Sequence, residues 1–539
     1  MKRALLYLIV LGGVMTASPR HVLAQDSLLT KDFLFLKQSD AWLTNPNAAG
    51  LTRLNIAHLS DAKIDFGYET GGFVNYYEAA KAVNVGAGVE SFYRLTDRIV
   101  MYGKMGYHNF AGKKMSGSAF VNPSRMPFDI VESTTDNSGN KHRDTYTLTG
   151  AVGADVYQGI AVGAKVDFTA ANYAKYKDLR HKNNLMDLAL TAGIYAPLGK
   201  RVQVGANYFY RRSTEQVRFS IYGNADLVYK STIDYGAFFG KTETFGEKGY
   251  TEQNREMPLF NEYHGVGIQA GWDITSRTSW HNHFGYAHRE GYYGKKSSYT
   301  VSHNQFDGKS FAYDGRLTVK TATDKHLLDM HIDWESTTDY NNSYREVEDA
   351  ATSARYYEYY TPVKLSKKTW TEASVAYTGY YGIRDLTATW MANGGVEFMR
   401  RKVTAYDYPY YRTQDLRHVA FFAQGERNFF FDKSLLSVSL AMNYQTGSGD
   451  LYNDGTMAPP SDKQVPPAEM TAFLHREYQY LTAPQYGFEM AVKYAFVFPK
   501  TRMKTYAKAA FNHLRTTEKD DYLEGQSHST LSLTVGCTF

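Results

Sequence analysis

Apolar and polar residues alternate with a period of two along most of the chain after residue 61. The clearest case is the pair of segments 146–156 and 160–168, in which every second residue is apolar or small. Because successive side chains of a strand point to opposite faces, each segment is predicted to be a strand with one apolar and one polar face. The short link between the two segments predicts a hairpin.

The same unit recurs along the chain. Eight hairpin turns are predicted, near residues 95–97, 157–159, 197–199, 277, 320–325, 381–384, 427–433 and 498–502. Longer polar segments lie between the hairpins, at residues 111–144, 213–262, 291–309, 337–368, 400–414 and 446–484. Alternating short and long links are typical of a membrane barrel with tight periplasmic turns and long outer loops.

These segments predict an all-β fold, a transmembrane antiparallel β-barrel. A first strand near residues 63–69, eight hairpins and a final strand give about 18 strands, and 16 is the alternative count, since single-chain bacterial barrels have an even number. A soluble β-sandwich or propeller is disfavoured because the strands reach ten or more residues, about the length that crosses a bilayer at a tilt. The predicted organisation is a signal peptide at residues 1–24, a periplasmic or lumen-plugging segment at 25–60, and the barrel at 61–539.

The signal peptide is predicted from Lys2 and Arg3, the apolar run 4–14 and the small-residue site that ends at Ala24. No later segment approaches the roughly 18 continuous apolar residues that a spanning helix needs. A membrane location therefore requires a barrel. The 45 tyrosines, 30 phenylalanines and 44 glycines, against 14 prolines, fit strands with interfacial aromatic side chains.

Charge and cysteine content narrow the function. The formal net charge is +5, and three of the positive charges lie within residues 1–24, so +2 remains after cleavage. This gives no electrostatic case for nucleic acid. The single Cys537 cannot form an intramolecular disulfide and is expected on the lipid face.

Three resemblances point to the outer membrane of a Gram-negative bacterium. The final segment 529–539 alternates apolar and small polar residues and ends on Phe539, which resembles the signal that the barrel-assembly machinery recognises. Residues 45–51, Asn-Pro-Asn-Ala-Ala-Gly-Leu, resemble the box before the first strand of FadL-like barrels. The whole chain resembles large uncharacterised outer-membrane barrel families of Bacteroidota, which have tyrosine-rich loops.

The polar faces of two neighbouring hairpins carry many ionisable side chains. The predicted lumen polar cluster comprises Asp273, His281, His283, Asp314, Arg316, Asp329, His331 and Asp333. The turn positions place Asp273 opposite His281, Arg316 opposite Asp329, and Asp314 opposite His331. Two interpretations stay open: a site for a metal ion or an anionic group, since histidine and carboxylate suit divalent cations, and a salt-bridge network that lines a water-filled lumen.

The outer loops are predicted to present tyrosine. The candidate contact residues are Tyr356, Tyr357, Tyr359, Tyr360, Tyr408, Tyr410 and Tyr411. Tyrosine offers a large rigid surface with a polar tip, which suits binding of sugars, peptides or partner proteins. The alternative is an aromatic girdle with packing between loops.

No Gly-x-Ser-x-Gly elbow is present, and the chain is predicted not to be an enzyme and to need no cofactor. The sequence predicts an outer-membrane channel or transport component for small polar or amphipathic nutrients. The alternative is a plugged barrel that serves as binding or assembly partner of a surface uptake complex, with a lipoprotein or transporter docked on it. A barrel hydrolase is a third hypothesis. Outer-membrane lipids are expected partners in every case.

Overall fold

A computed structural model describes residues 28–223, 226–253, 255–297, 300–467, 470–498 and 503–539. The described strands are β1 (His58–Thr70), β2 (Lys81–Arg94), β3 (Ile99–Met115), β4 (Asp129–Glu132), β5 (Gly139–Tyr157), β6 (Ile160–Lys175), β7 (Arg180–Leu198), β8 (Val202–Ser220), β9 (Lys230–Gly236), β10 (Phe239–Thr244), β11 (Glu256–Asp273), β12 (Thr278–Ser297), β13 (Thr300–Lys320), β14 (Lys325–Asn341), β15 (Tyr344–Glu348), β16 (Arg355–Tyr359), β17 (Val363–Arg384), β18 (Thr387–Asp407), β19 (Tyr410–Phe430), β20 (Ser434–Ser448), β21 (Asn453–Thr456), β22 (Gln485–Phe498), β23 (Met503–Thr516) and β24 (Ser527–Thr538). The helical elements are the α-helices Phe33–Lys37 and Thr471–Thr482 and the 3₁₀ helices Ala41–Leu43 and Ala48–Arg53.

Eighteen of the described strands form one closed antiparallel barrel, in the order β1, β2, β3, β5, β6, β7, β8, β11, β12, β13, β14, β17, β18, β19, β20, β22, β23 and β24. The last strand pairs with the first, with Thr538 opposite Asp61, so the sheet has no free edge. The predicted transmembrane barrel of about 18 strands is confirmed, and the count of 16 is wrong. Strand β21 lies outside this ring and pairs with the outer end of β19.

The barrel has an apolar outer face and a polar inner face. On β24 the side chains of Leu531, Leu533 and Val535 are exposed, while Thr534 points inward and donates to Asp65. This alternation places every second side chain against hydrocarbon and the others in the lumen. None of the described helices is long and apolar enough to cross a membrane.

Tight turns join the strands at one end of the barrel. Between β5 and β6 the turn consists of Gln158 and Gly159, whose φ values of 47° and 81° give the twist that a two-residue hairpin requires. The predicted turn at residues 498–502 falls largely on residues outside the described ranges, as does the predicted signal peptide at 1–24. Strand β1 begins at His58, three residues before the predicted start of the barrel.

Two of the predicted outer loops are strands. Residues 291–297 belong to β12 and residues 300–309 to β13. Residues 400–414 belong to β18 and β19, which are joined by Tyr408 and Pro409 alone. The prediction failed because these strands continue beyond the apolar belt. There the outward face carries exposed polar side chains such as Arg400 and Lys402, while inward residues such as Tyr293 and Ala405 are buried, so the alternation that marks a membrane strand disappears.

The remaining outer loops fold together over the barrel. Strands β4, β9 and β10 form a small antiparallel sheet. Ile233 of β9 and the adjoining loop residues Phe128 and Tyr250 pack against the outer ends of the wall strands. The helix Thr471–Thr482 packs Phe473 against Tyr76 and Phe238. The outer end therefore has its own hydrophobic core, which we call the cap: β4, β9, β10 and the helix Thr471–Thr482.

Candidate functional site

The N-terminal segment, residues 28–57, is built from short turns with polar caps. The side chain of Asp32 accepts from the backbone N–H of Phe35 at 2.9 Å and starts the first helix. Asp40 caps the next turn by accepting from Trp42 N–H at 3.0 Å, and Asn47 caps the last by accepting from Ala49 N–H at 3.1 Å. These caps satisfy the free N–H groups at the helix starts and make the segment compact without long secondary structure.

Asn47 joins this segment to the barrel wall. Its side-chain amide donates to the carbonyl oxygen of Ile194 at 2.8 Å and to Oε1 of Gln269 at 3.0 Å. Asn47 is fully buried, and the two acceptors lie on β7 and β11. Buried polar contacts of this kind are costly to break because both partners would lose a hydrogen bond out of reach of water.

Trp42 fills the space beside Asn47. Its indole ring meets Tyr195 and His281 edge-on, with ring centroids 4.8 and 4.9 Å apart. Trp42 is only 3% exposed, because it packs against Tyr195 and His281 on the inner face of the wall. The N-terminal segment therefore occupies volume inside the barrel.

Glycines in the wall allow the segment to approach. A Cβ atom at Gly163 would lie 2.1 Å from the backbone nitrogen of Ala49, and one at Gly193 would lie 2.1 Å from Oδ1 of Asn47. Either side chain would overlap the segment, so glycine is required at both positions for the segment to lie this close to the wall.

Cations from distant parts of the wall hold the other side of the segment. Lys325 on β14 donates to the carbonyl oxygens of Gln38 and Ser39 at 2.9 and 3.0 Å. Lys504 on β23 donates to the carbonyl oxygen of Lys31. With the contacts to β7 and β11, the segment is fastened to several sides of the wall near the tight turns.

Electrostatics add to this anchoring at Asp32. Burial alone would raise the pKa of the Asp32 carboxyl, but Lys493, Lys504 and two backbone N–H groups outweigh burial and lower the pKa below its usual 3.8. Lys493 lies 3.8 Å from the carboxylate. The groups around Asp32 therefore favour its charged form.

A second element enters the lumen from the outer side. Residues 122–126 form the inward tip of the loop between β3 and β5, and Arg125 on this tip meets three carboxylates of the wall. Its guanidinium lies 2.6 Å from Asp333, 2.8 Å from Glu372 and 3.5 Å from Glu335. Glu335 also pairs with Arg289 at 2.9 Å.

Without Arg125, two carboxylates of the wall would repel each other. Asp333 and Glu372 are direct cross-strand partners on β14 and β17. Like charges opposite each other destabilise a sheet, because their side chains stand only about 5 Å apart. Arg125 compensates for this repulsion from a loop more than 200 residues earlier in the chain.

Cavities surround the loop tip. Three of them, with volumes of about 400, 390 and 410 Å³, are all lined by Ser124. The first is lined by Arg125, Trp370, Glu372 and Arg401, among others, and the second by Arg125, Arg211, Arg289, Asp187, Glu215 and Asp333. Positive and negative side chains are mixed in these linings. We call the space between the N-terminal segment and the cap the chamber.

The predicted lumen polar cluster is divided among separate contacts. The strand register confirms that Arg316 faces Asp329 and that Asp314 faces His331. Asp314 accepts contacts from two rings, since Nδ1 of His283 lies 3.1 Å and Nδ1 of His331 lies 2.7 Å from its oxygens. Arg316 pairs with Asp329 at 2.5 Å.

The other members lie apart from Asp314. Asp273 faces Ser279, so the prediction that it faces His281 is wrong: the turn is centred one residue earlier than expected. Asp273 instead accepts from Gln203 at 2.7 Å. His281 contacts Trp42 of the N-terminal segment, and Asp333 pairs with Arg125 of the loop tip. Within the described ranges, no three His, Cys, Asp or Glu side chains are grouped to hold a metal ion.

The predicted loop tyrosines fall into two sets. Tyr356, Tyr357 and Tyr359 belong to the protruding hairpin of β15 and β16, and Tyr360 follows it directly. Tyr410 and Tyr411 are not loop residues, because they begin strand β19, while Tyr408 lies in the two-residue turn before it. The polar strand ends described above account for this difference.

Sequence reasoning missed the residues that organise the chamber. Arg125 and Glu372 carry no local signal, since each belongs to a polar stretch of ordinary composition. Asn47 and Ala49 stood in the FadL-like stretch, but nothing near them points to Ile194 or Gln269. The inward-facing glycines Gly163 and Gly193, which lie opposite each other on β6 and β7, are the one signal that could have indicated a close approach of another segment.

The fold and the chamber define a transmembrane β-barrel with an occupied lumen. The chain belongs to the family of unknown function DUF6850, whose sequence model matches residues 48–539. None of the curated proteins matches the chain.

Solved barrels show weak overall similarity. BauA, the ferric preacinetobactin receptor from Acinetobacter baumannii, is 8% identical, with 90% of this chain and 79% of that chain covered and a TM-score of 0.41. The outer membrane transporter YddB from Escherichia coli is 8% identical, with coverages of 88% and 81% and a TM-score of 0.40. The ferripyoverdine receptor of Pseudomonas aeruginosa is 9% identical, with coverages of 89% and 72% and a TM-score of 0.38. With TM-scores below 0.5, none of these similarities bears on the ligand of this chain.

Proposed function

We propose that the chain is an outer-membrane transport component for small polar or amphipathic nutrients, and that residues 28–57 close its lumen at rest. The observation that carries this proposal is the burial of Asn47 and Trp42 against the inner face of the wall, with hydrogen bonds to β7 and β11. A segment held from several sides by short contacts is suited to block passage until it moves.

The chamber supports a polar ligand of modest size. Cavities of about 400 Å³ fall within the range of roughly 300–1,000 Å³ that is usual for small-molecule sites. Their mixed charges favour molecules with several hydrogen-bonding groups over simple ions of one sign. Trp370 and Tyr77 in the first cavity add aromatic surface for the apolar part of an amphipathic ligand.

Uptake into vesicles tests the proposal. We expect liposomes that contain the full chain not to swell in an isosmotic disaccharide solution, whereas liposomes with a variant lacking residues 28–50 should swell. Swelling with the full chain at the rate of the deletion variant would mean that the lumen is open at rest. Absence of swelling with both forms, with heat-modifiable gel migration intact, would argue against transport.

A second candidate function is a binding or assembly role in a surface uptake complex. It is favoured by the hairpin of β15 and β16, which protrudes with Tyr356, Tyr359 and Tyr360 between 38% and 54% exposed. Exposed tyrosines in a rigid hairpin are typical of protein-binding surfaces. If a surface lipoprotein is the partner, replacing residues 344–360 with a short Gly-Ser link should abolish co-purification from crosslinked cells, without altering barrel assembly.

Location and biogenesis are part of the proposal. We infer export by the signal peptide at residues 1–24 and insertion by the barrel-assembly machinery through the final strand, which ends at Phe539. Membrane fractionation of cells that express the full chain should place it in the outer membrane, and Phe539→Ala should reduce the inserted fraction. The Bacteroidota origin and the FadL-like box stay predictions.

A further inference from the structure

The contacts of Arg125 with the wall bear on the charge of a ligand that the chamber could bind. Three carboxylates, from Asp333, Glu335 and Glu372, point at one guanidinium that comes from a loop rather than from the wall. Among the described residues, Glu335 alone of the three pairs with a second cation, Arg289. The wall alone therefore presents two uncompensated carboxylates, which are cross-strand partners and repel each other.

The space next to this contact is suited to a ligand. Arg125 lines both the cavity of about 400 Å³ and the cavity of about 390 Å³, with Glu372 in the first and Asp333 in the second. A group that enters from either cavity reaches the carboxylates directly. The Arg125 side chain is 30% exposed, so it is accessible to a competing group.

A further acceptor lies at the second cavity. Glu215 lines it, is 2% exposed, and its Oε2 has no hydrogen-bond partner among the described residues. The other carboxylate oxygen accepts from Val121 N–H at 2.9 Å, and Val121 directly precedes the loop tip. A buried carboxylate oxygen without a donor is costly, and a ligand with N–H groups would supply one.

We propose that the cavities beside Arg125 bind a small ligand that carries a guanidinium or ammonium group, and that this group replaces the Arg125 guanidinium between Asp333 and Glu372. Arg125 then acts as an internal competitor that offsets one of the two negative charges of Asp333 and Glu372 when the site is empty. This assignment rests on the proposed transport function, since it names the class of nutrient, such as a short basic peptide, that the chamber takes.

Calorimetric titration of the purified full chain in detergent tests the assignment. The probe is the tripeptide Gly-Arg-Gly, and its matched control is Gly-citrulline-Gly, which has the same shape without the charge. Removing the competitor raises the fraction of protein that is ready to bind. We expect Arg125→Ala to bind Gly-Arg-Gly about tenfold more tightly than the wild type, which corresponds to about 1.4 kcal/mol, and the citrulline peptide to bind to neither protein.

Two further variants keep the test decisive. Glu372→Gln leaves Arg125 its contacts with Asp333 and Glu335, and we expect it to weaken binding of Gly-Arg-Gly in the wild-type background, even if Arg125→Ala fails to fold. Arg345→Ala, on the exposed hairpin, is the control and should change neither affinity. Equal binding of both peptides, or no gain in Arg125→Ala and no loss in Glu372→Gln, would overturn the assignment.

The outcome is separable from that of the transport proposal. Binding is measured in detergent and does not require an open lumen, whereas swelling does not require a cationic ligand. A deletion variant that passes disaccharides while no form binds Gly-Arg-Gly would refute only the ligand class.

Discussion

The side-chain amide of Asn47 donates to Oε1 of Gln269 over 3.0 Å, and this hydrogen bond links the N-terminal segment to strand β11 inside the barrel. Gln269 is 1% exposed and in turn donates to Asn207 on β8 at 2.6 Å. A buried chain of amides thus runs from the segment through two wall strands. Such a chain fixes the segment in one position, because each amide left without a partner would cost free energy.

Replacing Asn47 tests this anchor. We expect Asn47→Leu to loosen the segment, because the amide donors to Ile194 and Gln269 disappear and leave buried acceptors without partners, at a cost of about 1–3 kcal/mol. The measurement is the rate of trypsin cleavage after Lys31, Lys37 and Arg53 in the detergent-purified protein. Thr44→Ala is the control, since Thr44 is exposed and donates only to Ala41 within the segment. Unchanged cleavage in Asn47→Leu would show that the segment is held elsewhere.

A methyl group at Gly163 should displace the segment. The new Cβ would lie 2.1 Å from Ala49 N, and the contact is between two backbones, so neither side can yield easily. We expect Gly163→Ala to produce conductance in planar bilayers and to lower the thermal midpoint, at a cost of about 1–3 kcal/mol, typical of overpacking. Gly150→Ala is the matched control, because a Cβ there meets nothing within 4 Å. If both variants behave like the wild type, the close approach of the segment is not needed for closure.

Most of the barrel could be predicted from the sequence because the membrane imposes a rule on each strand. Residues 146–156 had to alternate between hydrocarbon and water, and that alternation is visible without knowledge of the partner strand. The rule weakens at Gly291 and Arg400, where the strands leave the membrane and the outward face meets water instead of hydrocarbon. The membrane-spanning part of each strand could therefore be predicted, whereas the strand ends outside the membrane were predicted wrongly as loops.

The site was less predictable because it depends on contacts between distant parts of the chain. The pair Asp314 and His331 followed from a turn four residues long between neighbouring strands. Arg125 and Glu372 are brought together by the inward fold of a loop, and no periodicity encodes that fold. His281 was predicted as part of a lumen polar cluster, but its neighbour is Trp42, since the N-terminal segment packs against this part of the inner wall.

Acid should release the N-terminal segment. Because the pKa of Asp32 is lower in the folded protein than its usual 3.8, its charged form contributes stability above about pH 4, and this contribution is lost as the pH falls through the lowered pKa. We expect bilayer conductance of the wild type to appear as the pH is lowered from 5 to 3. In Asp32→Asn, the part of the pH dependence of the conductance that is due to the Asp32 carboxyl should be absent. Identical pH profiles of the two proteins would contradict the role of Asp32.

The cap should respond to pH in the opposite direction. Burial is the largest cause and, with the nearby Asp129 and Glu477, raises the pKa of Asp234 to about 6, although Lys368 and the hydrogen bond from Gly236 N–H oppose the rise. The folded state then binds more protons than the unfolded chain, so the stabilisation is full below about pH 4 and is lost as the pH rises through 6. We expect amide exchange in Lys230–Gly236, corrected for the intrinsic rate, to become faster over this interval.

Asp234→Asn is the control for this prediction. It keeps the side-chain oxygen that accepts from Gly236 and Phe239 N–H but removes the proton equilibrium. We therefore expect the corrected exchange rate of the variant to be flat between pH 4 and 6. A slope equal to that of the wild type would show that another group is responsible.

Single-channel recording in planar bilayers tests most directly whether residues 28–57 close the barrel. We predict no discrete current steps from the full chain at neutral pH, and regular steps from the variant that lacks residues 28–50. Steps of equal size and frequency from both proteins would contradict the account, because they would mean that ions pass a segment that the structure fastens across the lumen.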